Sequence, residues 1–383
     1  MTQVQTLADK EIVLGVTGSI AAVETVKLIH ALRKKGAVVQ PVMSHAATGI
    51  IHPDALTYAA GRTAITRISG MVEHVMYCGD GGSADLLLIA PGTANTIGKI
   101  ASGIDDTTVT TFATTALGSN VPVLIVPAMH HSMYRHPAVI ENLQRLKRWG
   151  IGVVDPRIEE EKAKIASIEE IVLSCERELL GKPLDGKKIL ITSGPCREKV
   201  DDIRVLTTRS SGQMGRELAL EGFRLGAEVT VVHSGLFPCV TNLPAVSAQE
   251  MREQVLRHIW ENGADIYMSA AAISDYAPVP FNGKIESGRK VSIELLPLSK
   301  VIGEVVKIPV PIIIAFKLGR DTSAAAEAML NNGVSFVVTN PPETMDAGSG
   351  EFILVSKRGR TPFTGTKEEC AALLFKMIVG QNR

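Results

Sequence analysis

Two runs of residues, Ile12-Val-Leu-Gly-Val16 and Lys188-Ile-Leu-Ile-Thr192, each lead into a glycine turn, a segment of helical period and a further aliphatic run. Aliphatic runs this short and continuous have no face to give to water, so they suit strands of a parallel sheet covered by helices on both sides. After the first run, Thr17-Gly18-Ser19 turns the chain. Ala21 to Lys35 then carries Val23, Val26, Ile29 and Leu32 at helical spacing, Gly36 stops it, and Ala37 to Met43 returns as a strand. Leu86 to Ala90 and Val121 to Val126 repeat the strand signal. After the second run, Ser193-Gly194-Pro195 turns the chain; a helix from Gly215 to Gly226 and a strand from Ala227 to His233 follow. Further strands are expected at Asp265 to Met268, Pro311 to Ala315 and Ser335 to Thr339. The alternation predicts an α/β chain of two Rossmann-like parallel-sheet domains.

A chain of 383 residues exceeds a comfortable single core, in keeping with two domains. Glu159 to Leu180 reads as a charged amphipathic helix, and Gly181-Lys-Pro-Leu-Asp-Gly186 after it as the boundary, giving domains of residues 1–181 and 182–383. Forty basic residues balance forty acidic ones, which argues against a nucleic-acid or membrane-surface partner. The five cysteines, Cys78, Cys175, Cys196, Cys239 and Cys370, lie far apart with no CxxC pair, as in a reducing compartment. The polar stretch Met1 to Lys10 is neither a signal peptide nor a membrane span, and a cytoplasmic protein is expected.

A strand ending in Gly18-Ser19 and opening a helix offers free backbone N–H groups and a positive dipole end to an anion. Ser19 adds a hydroxyl, and Ser44, after the next strand, adds another. The same turn is equally an ordinary βα connection, and no GxGxxG marks a dinucleotide site. Two polar loops follow later strands, at the carboxyl edge where open α/β sheets place ligands. They are Pro91-Gly-Thr93-Ala94-Asn95-Thr96 and Pro127-Ala-Met129-His130-His-Ser-Met-Tyr134.

Taken in order, Thr17-Gly-Ser-Ile-Ala-Ala22 and these two loops resemble the homo-oligomeric flavin-containing cysteine decarboxylases, within them the phosphopantothenoylcysteine decarboxylase domain, over residues 10–155. The resemblance implies an FMN site, with Gly18, Ser19 and Ser44 on the phosphate and Thr93, Ala94, Asn95 and Thr96 along the flavin. It implies that Met129 and His130 hold substrate and that His74 is catalytic; read alone, His74 is a surface histidine. The implied chemistry oxidises a cysteine side chain on FMN, releases carbon dioxide and returns the electrons to the enethiol. A base of near-neutral pKa suits the first proton removal. His130 stands where the family has Asn, and Tyr134 where it has Trp. The family's cysteine-bearing loop has no counterpart. The chain runs Asp155-Pro-Arg-Ile-Glu-Glu-Glu-Lys-Ala-Lys164 there, a form of archaeal-type members, and Cys175 reads as core.

In the second half, Lys188 to Pro195, Asp202-Ile-Arg204, Arg209-Ser210-Ser211-Gly212-Gln-Met-Gly215 and Ala270-Ala271-Ala-Ile-Ser-Asp275-Tyr276 occur in that order. The Ser210–Gly212 turn suits a phosphate, though a purely structural turn fits it as well. Together the segments resemble the phosphopantothenate–cysteine ligase domain over residues 186–375. The resemblance implies a nucleotide site of Ser269, Ala270, Ala271, Asp275, Lys284, Phe316 and Asn340, with Asp275 also on Mg²⁺ and Lys317 as a further phosphate contact. Ser210, Ser211 and Gly212 would form the phosphate or substrate loop. Carboxylate activation by CTP or ATP would place charge on the α-phosphate, which Lys284 and Mg²⁺ would stabilise before the amine of cysteine attacks. Thr208 stands where bacterial members have Asn, Glu286 replaces a lysine, and the segment Thr322 to Asn332 is Ala-rich where they are Lys-rich.

The leading reading is a bifunctional enzyme of coenzyme A biosynthesis acting on 4′-phosphopantothenate, cysteine and a nucleotide. Its expected assembly is a homo-oligomer with a trimeric decarboxylase core and a dimeric ligase, a dodecamer among the ways of meeting both. Two others stand beside it: a related flavoprotein decarboxylase of different substrate whose ligase-like half has reduced or no activity, and a flavin-binding regulatory or scaffold protein.

Overall fold

The computed structural model of the protein describes residues 4–159, 162–288, 290–345 and 347–381. The chain divides into two compact units between Gly181 and Lys182.

The first unit is built on five strands: β1 (Glu11–Val16), β2 (Val38–Met43), β3 (Leu86–Gly92), β4 (Val123–Pro127) and β5 (Gly152–Val153). They lie in the order β2-β1-β3-β4-β5, all parallel. Side chains alternate across the sheet. Ile12, Leu14, Leu86 and Leu88 enter the core on one face; Val13, Leu87 and Ile89 enter the core on the other. β3 is buried along its whole length, as its sequence requires. The helix expected from Ala21 begins as a 3₁₀ turn, Ile20–Glu24, and becomes α-helical at Thr25–Lys34.

The stretch expected as one helix from Glu159 to Leu180 is two structures. Arg157–Glu159 and Lys162–Lys164 are antiparallel strands, and the latter also pairs with Met129–His130. Glu160 and Glu161 lie outside the described residues. The helix runs only from Ile168 to Leu179. Its start is set chemically: the Ser167 hydroxyl accepts from the Glu170 amide at 3.2 Å, while the Glu170 carboxylate accepts from the Ser167 amide at 2.7 Å. On this helix Cys175 and Glu176 are fully buried, and Glu176 meets Lys35 at 3.7 Å and accepts from the Thr6 hydroxyl.

The second unit holds an eight-stranded sheet. Its strands are β6 (Lys188–Thr192), β7 (Glu228–His233), β8 (Thr241–Pro244), β9 (Ile266–Ser269), β10 (Ile312–Leu318), β11 (Phe336–Asn340), β12 (Ser349–Ser356) and β13 (Gly359–Thr366). The order is β8-β7-β6-β9-β10-β11-β12-β13. It is parallel as far as β11, while β12 and β13 are antiparallel additions that the strand signals above did not include. The helix Lys367–Gln381 covers one face with Cys370, Leu374, Phe375 and Ile378. The boundary stretch is no loose linker: Leu184 is buried in that same core and its amide bonds to the Leu225 carbonyl at 2.9 Å. Two antiparallel ribbons, Arg197–Lys199 with Val205–Thr207 and Tyr276–Pro278 with Leu295–Pro297, stand outside the main sheet. Among the described residues no helix is long and apolar enough to cross a membrane.

Because the Ser167–Glu170 box sets the helix start, Ser167→Ala should lower the stability of the protein by about 1 kcal/mol. Urea unfolding followed by circular dichroism measures this, and an unchanged midpoint would mean that the cap does not define the helix.

Candidate functional site

In the first unit the strand order reverses between β1 and β3, which opens a crevice at their carboxyl ends. The three adjacent strands there each end in a hydroxyl cap. Ser19 accepts from the Ala21 amide at 3.4 Å, Ser44 from Ala47 at 3.3 Å and Thr93 from Thr96 at 3.3 Å. A serine hydroxyl that accepts at a cap keeps its own proton to donate. Thr17 ties the turns together, its hydroxyl donating to the Pro91 carbonyl at 2.6 Å and accepting from the Thr93 amide at 3.1 Å. At Gly18 an added Cβ would sit 2.6 Å from the Cβ of Ala46, so the first turn reaches the second only because it lacks a side chain. Gly18, Ser19, Ser44 and Thr93 to Thr96 thus share one sheet edge.

His74 comes from a separate element, the short helix Glu73–Cys78, and its ring lies edge-on to Phe112 at 6.4 Å. Among the described residues its buried Nδ1 finds no hydrogen-bond partner, and the same is true of Nδ1 in His131, which the sequence reading passed over. Buried polar atoms are rarely left so in a folded protein, and an atom kept ready for a ligand is one reason for it. Beside His74, the hydroxyl and amide of Ser69 hold the Glu73 carboxyl below its ordinary pKa. Met129 and His130 form a short strand held by Ala163 and Lys162, and the exposed His130 uses Nδ1 to meet the Ser132 hydroxyl at 2.8 Å. Burial pushes the thiol of Cys78 up to about 12 and raises that of Cys175, so both are protonated core groups.

The second sheet reverses between β6 and β9, and there a cavity of about 380 Å³ opens. Thr208, Ser210 to Gly215, Ala270 to Ile273, Asp275, Phe316, Lys317 and Asn340 line it. Its floor is backbone on backbone. Gly212 adopts φ +74° at the start of the helix Gln213–Arg224, its carbonyl accepts from the Ser193 hydroxyl at 3.1 Å, and a Cβ on Gly215 would lie 2.4 Å from that of Ser193. Ala270 and Ala272 donate to the carbonyls of Thr192 and Gly194 at 3.2 and 3.0 Å, and the Thr208 hydroxyl donates to Ala272 at 3.2 Å. Ser269 lines a smaller neighbouring pocket together with Asp275 and Phe316.

Lys284 is not among the residues lining the cavity; it is exposed, on the segment 279–294 between the ribbon strands. Three residues that the motifs did not single out join the site. Lys300 meets Asp275 at 3.4 Å; Lys367, buried in the cavity wall, donates to the Met345 carbonyl at 3.2 Å; and the Thr344 hydroxyl accepts from Asn340. Among the described residues no group of three or more His, Cys, Asp or Glu could hold a metal ion. A divalent cation at Asp275 would therefore have to complete its shell from outside the side chains, with waters or the phosphates of a nucleotide.

Comparison with known proteins matches residues 2–179 to the Flavoprotein family and residues 184–381 to the DNA/pantothenate metabolism flavoprotein C-terminal domain. The coenzyme A biosynthesis bifunctional protein CoaBC of Thermococcus kodakarensis is 42% identical over 93% of this chain and 91% of its own length. The protein of the same name from Methanocaldococcus jannaschii is 32% identical over 98% of this chain and 95% of its own. That of Vibrio vulnificus is 36% identical over 72% of this chain and 70% of its own.

The contact of Gly215 with Ser193 leaves no room for a methyl group. Gly215→Ala should push the Gln213–Arg224 helix off the β6 turn at a cost of about 1–3 kcal/mol, read from the urea midpoint. A loss below about 0.5 kcal/mol would show that the helix start shifts freely.

Proposed function

Because the chain belongs to the family of coenzyme A biosynthesis bifunctional proteins, we propose that it joins 4′-phosphopantothenate to cysteine in the second unit and decarboxylates the product in the first. The observation that carries this reading is the convergence of sequence-distant residues in the second unit: the Ser210–Gly215 and Ala270–Asp275 motifs line one cavity together with Phe316, Lys317 and Asn340. Flavin chemistry in the first unit is in keeping with its Flavoprotein match.

In the first unit FMN is the flavin proposed, and bound FMN would supply a two-electron acceptor that later returns its electrons. Gly18 lets its turn pack against Ala46, and Ser19 and Ser44 would donate hydrogen bonds from their hydroxyls to the phosphate. Thr93, Ala94, Asn95 and Thr96 border the ring system. The unpartnered Nδ1 of His74 fits a group that takes a proton from the substrate. Met129 and His130 hold the substrate carboxylate, and with Nδ1 engaged by Ser132 the imidazole has Nε2 to offer. Loss of carbon dioxide then breaks the bond to that carboxylate.

In the second unit the turn Ser210-Ser211-Gly212 and the residues Ser269, Ala270, Ala271, Phe316 and Asn340 take a nucleotide, CTP or ATP, with Lys317 on its phosphates. The carboxylate of 4′-phosphopantothenate attacks the α-phosphate and pyrophosphate leaves. The amine of cysteine then attacks the acyl carbon and the nucleoside monophosphate departs. Lys284, reaching in from its exposed segment, would stabilise charge on the phosphates, and a Mg²⁺ held by Asp275 would add to that stabilisation.

Incubation with 4′-phosphopantothenate, cysteine, Mg²⁺ and CTP or ATP should yield 4′-phosphopantetheine by mass; product from neither nucleotide would refute the reading. His74→Asn should keep the yellow FMN absorbance yet slow decarboxylation by ~10²–10⁴-fold, and a loss below about tenfold would assign the base elsewhere.

A further inference from the structure

Residues 279–294 run between the ribbon strands Tyr276–Pro278 and Leu295–Pro297 as an arm with no core of its own. Among its described residues every one is exposed except Ile285, which is half-buried. Such a segment is held by little beyond its hydrogen bonds. Four of those bonds go to one turn, residues 200–204. The Phe281 amide donates to the Val200 carbonyl at 2.9 Å, and the Asp202 amide donates to the Gly283 carbonyl at 3.3 Å. The Ile285 amide donates to Asp201 Oδ2 at 3.0 Å, and the Arg204 guanidinium reaches the Ile285 carbonyl at 3.4 Å. Lys284 is thereby gripped through both of its neighbours.

At the centre of the turn, the side chain of Asp201 is completely buried. Its Oδ1 accepts from the amides of Ile203 and Arg204 at 2.8 and 2.6 Å, and its Oδ2 also takes the Arg204 guanidinium. Burial alone would raise its pKa. The amides of Ile285, Ile203 and Arg204, with the guanidinium, outweigh that and hold the carboxyl well below the ordinary range. Asp201 is thus a carboxylate at any working pH, and bonds to a charged acceptor are stronger than neutral ones.

We propose that Asp201 is a positioning residue for the ligase reaction: its carboxylate pins the arm beside Lys284 and so fixes where that ammonium meets the phosphates of the nucleotide. This rests on the role given to Lys284 above. Asp201→Asn keeps the shape of the side chain but replaces one acceptor with an N–H₂ group that cannot receive the Ile285 amide.

In the full chain, Asp201→Asn should speed tryptic cleavage after Lys284 by about tenfold or more, the effect of losing a bond to a charged group. It should slow acyl-nucleotidylate formation by a similar factor with decarboxylation as an internal control at the wild-type rate. In a Lys284→Gln background it should cost nothing further, because Asp201 acts through that lysine. Cleavage at the wild-type rate, or a further loss in the double variant equal to that in the single one, would overturn the proposal. If Lys284→Gln alone forms nucleotidylate at the wild-type rate, the role of Lys284 itself fails and the proposal with it. Should Asp201→Asn not fold, Arg204→Met, at a half-exposed side chain, removes the guanidinium bonds to Asp201 and Ile285 and is read by the same assays.

Discussion

A strand buried on both faces can satisfy its N–H and C=O groups only against neighbouring strands, and β3 is such a strand from Leu86 to Gly92. When those neighbours are parallel, the chain must return over a face between each pair, through a right-handed crossover. Strand ends therefore collect at one edge, and the helices begin there. The hydroxyl caps at Ser19, Ser44 and Thr93, and the turn from Ser210 to Gly215, owe their places to that rule before any chemistry is considered. Where the strand order reverses, the crossovers leave to opposite faces and the edge opens.

What fills that edge differs between the units. In the second, glycines let backbone lie on backbone, so amides and carbonyls rather than side chains form the floor of the cavity. The walls are supplied from farther along the chain, by Phe316 and Lys317 on β10, Asn340 on β11 and Lys367 at the start of the last helix. In the first, a single threonine, Thr17, locks two neighbouring turns through its one hydroxyl.

Much of this was legible in the residues. Strand positions followed from aliphatic runs, and the fold class from their alternation with helical segments. Most of the ligase motif positions do line one cavity. The failures share a cause: they depend on partners distant in sequence. Arg157 to Lys164 has the charge pattern of an exposed helix, yet Lys162–Lys164 becomes a strand because Met129–His130 offers an edge to pair with. The antiparallel strand β13 is largely exposed and has no apolar run, while β12 does carry one, Phe352-Ile-Leu-Val355, that the reading left out. Lys300 and Lys367 belong to no motif and reach the second site only through folding. Asp201 looked like the flank of a short motif, and its burial beneath the 279–294 arm has no local signature.

The pairing of Asp275 with Lys300 has a consequence for electroneutrality. Both side chains are nearly two-thirds exposed, 64% and 63%, so the pair is weak and exchanges readily with water and ions. With no ligand present the carboxylate already has its countercharge. A divalent cation brought to Asp275 by a nucleotide would not enter a bare negative hole but would displace an ammonium. That ammonium, on a flexible stem, would then be available to the anion that arrived with the metal. In such an exchange the carboxylate would at no point be left without a countercharge.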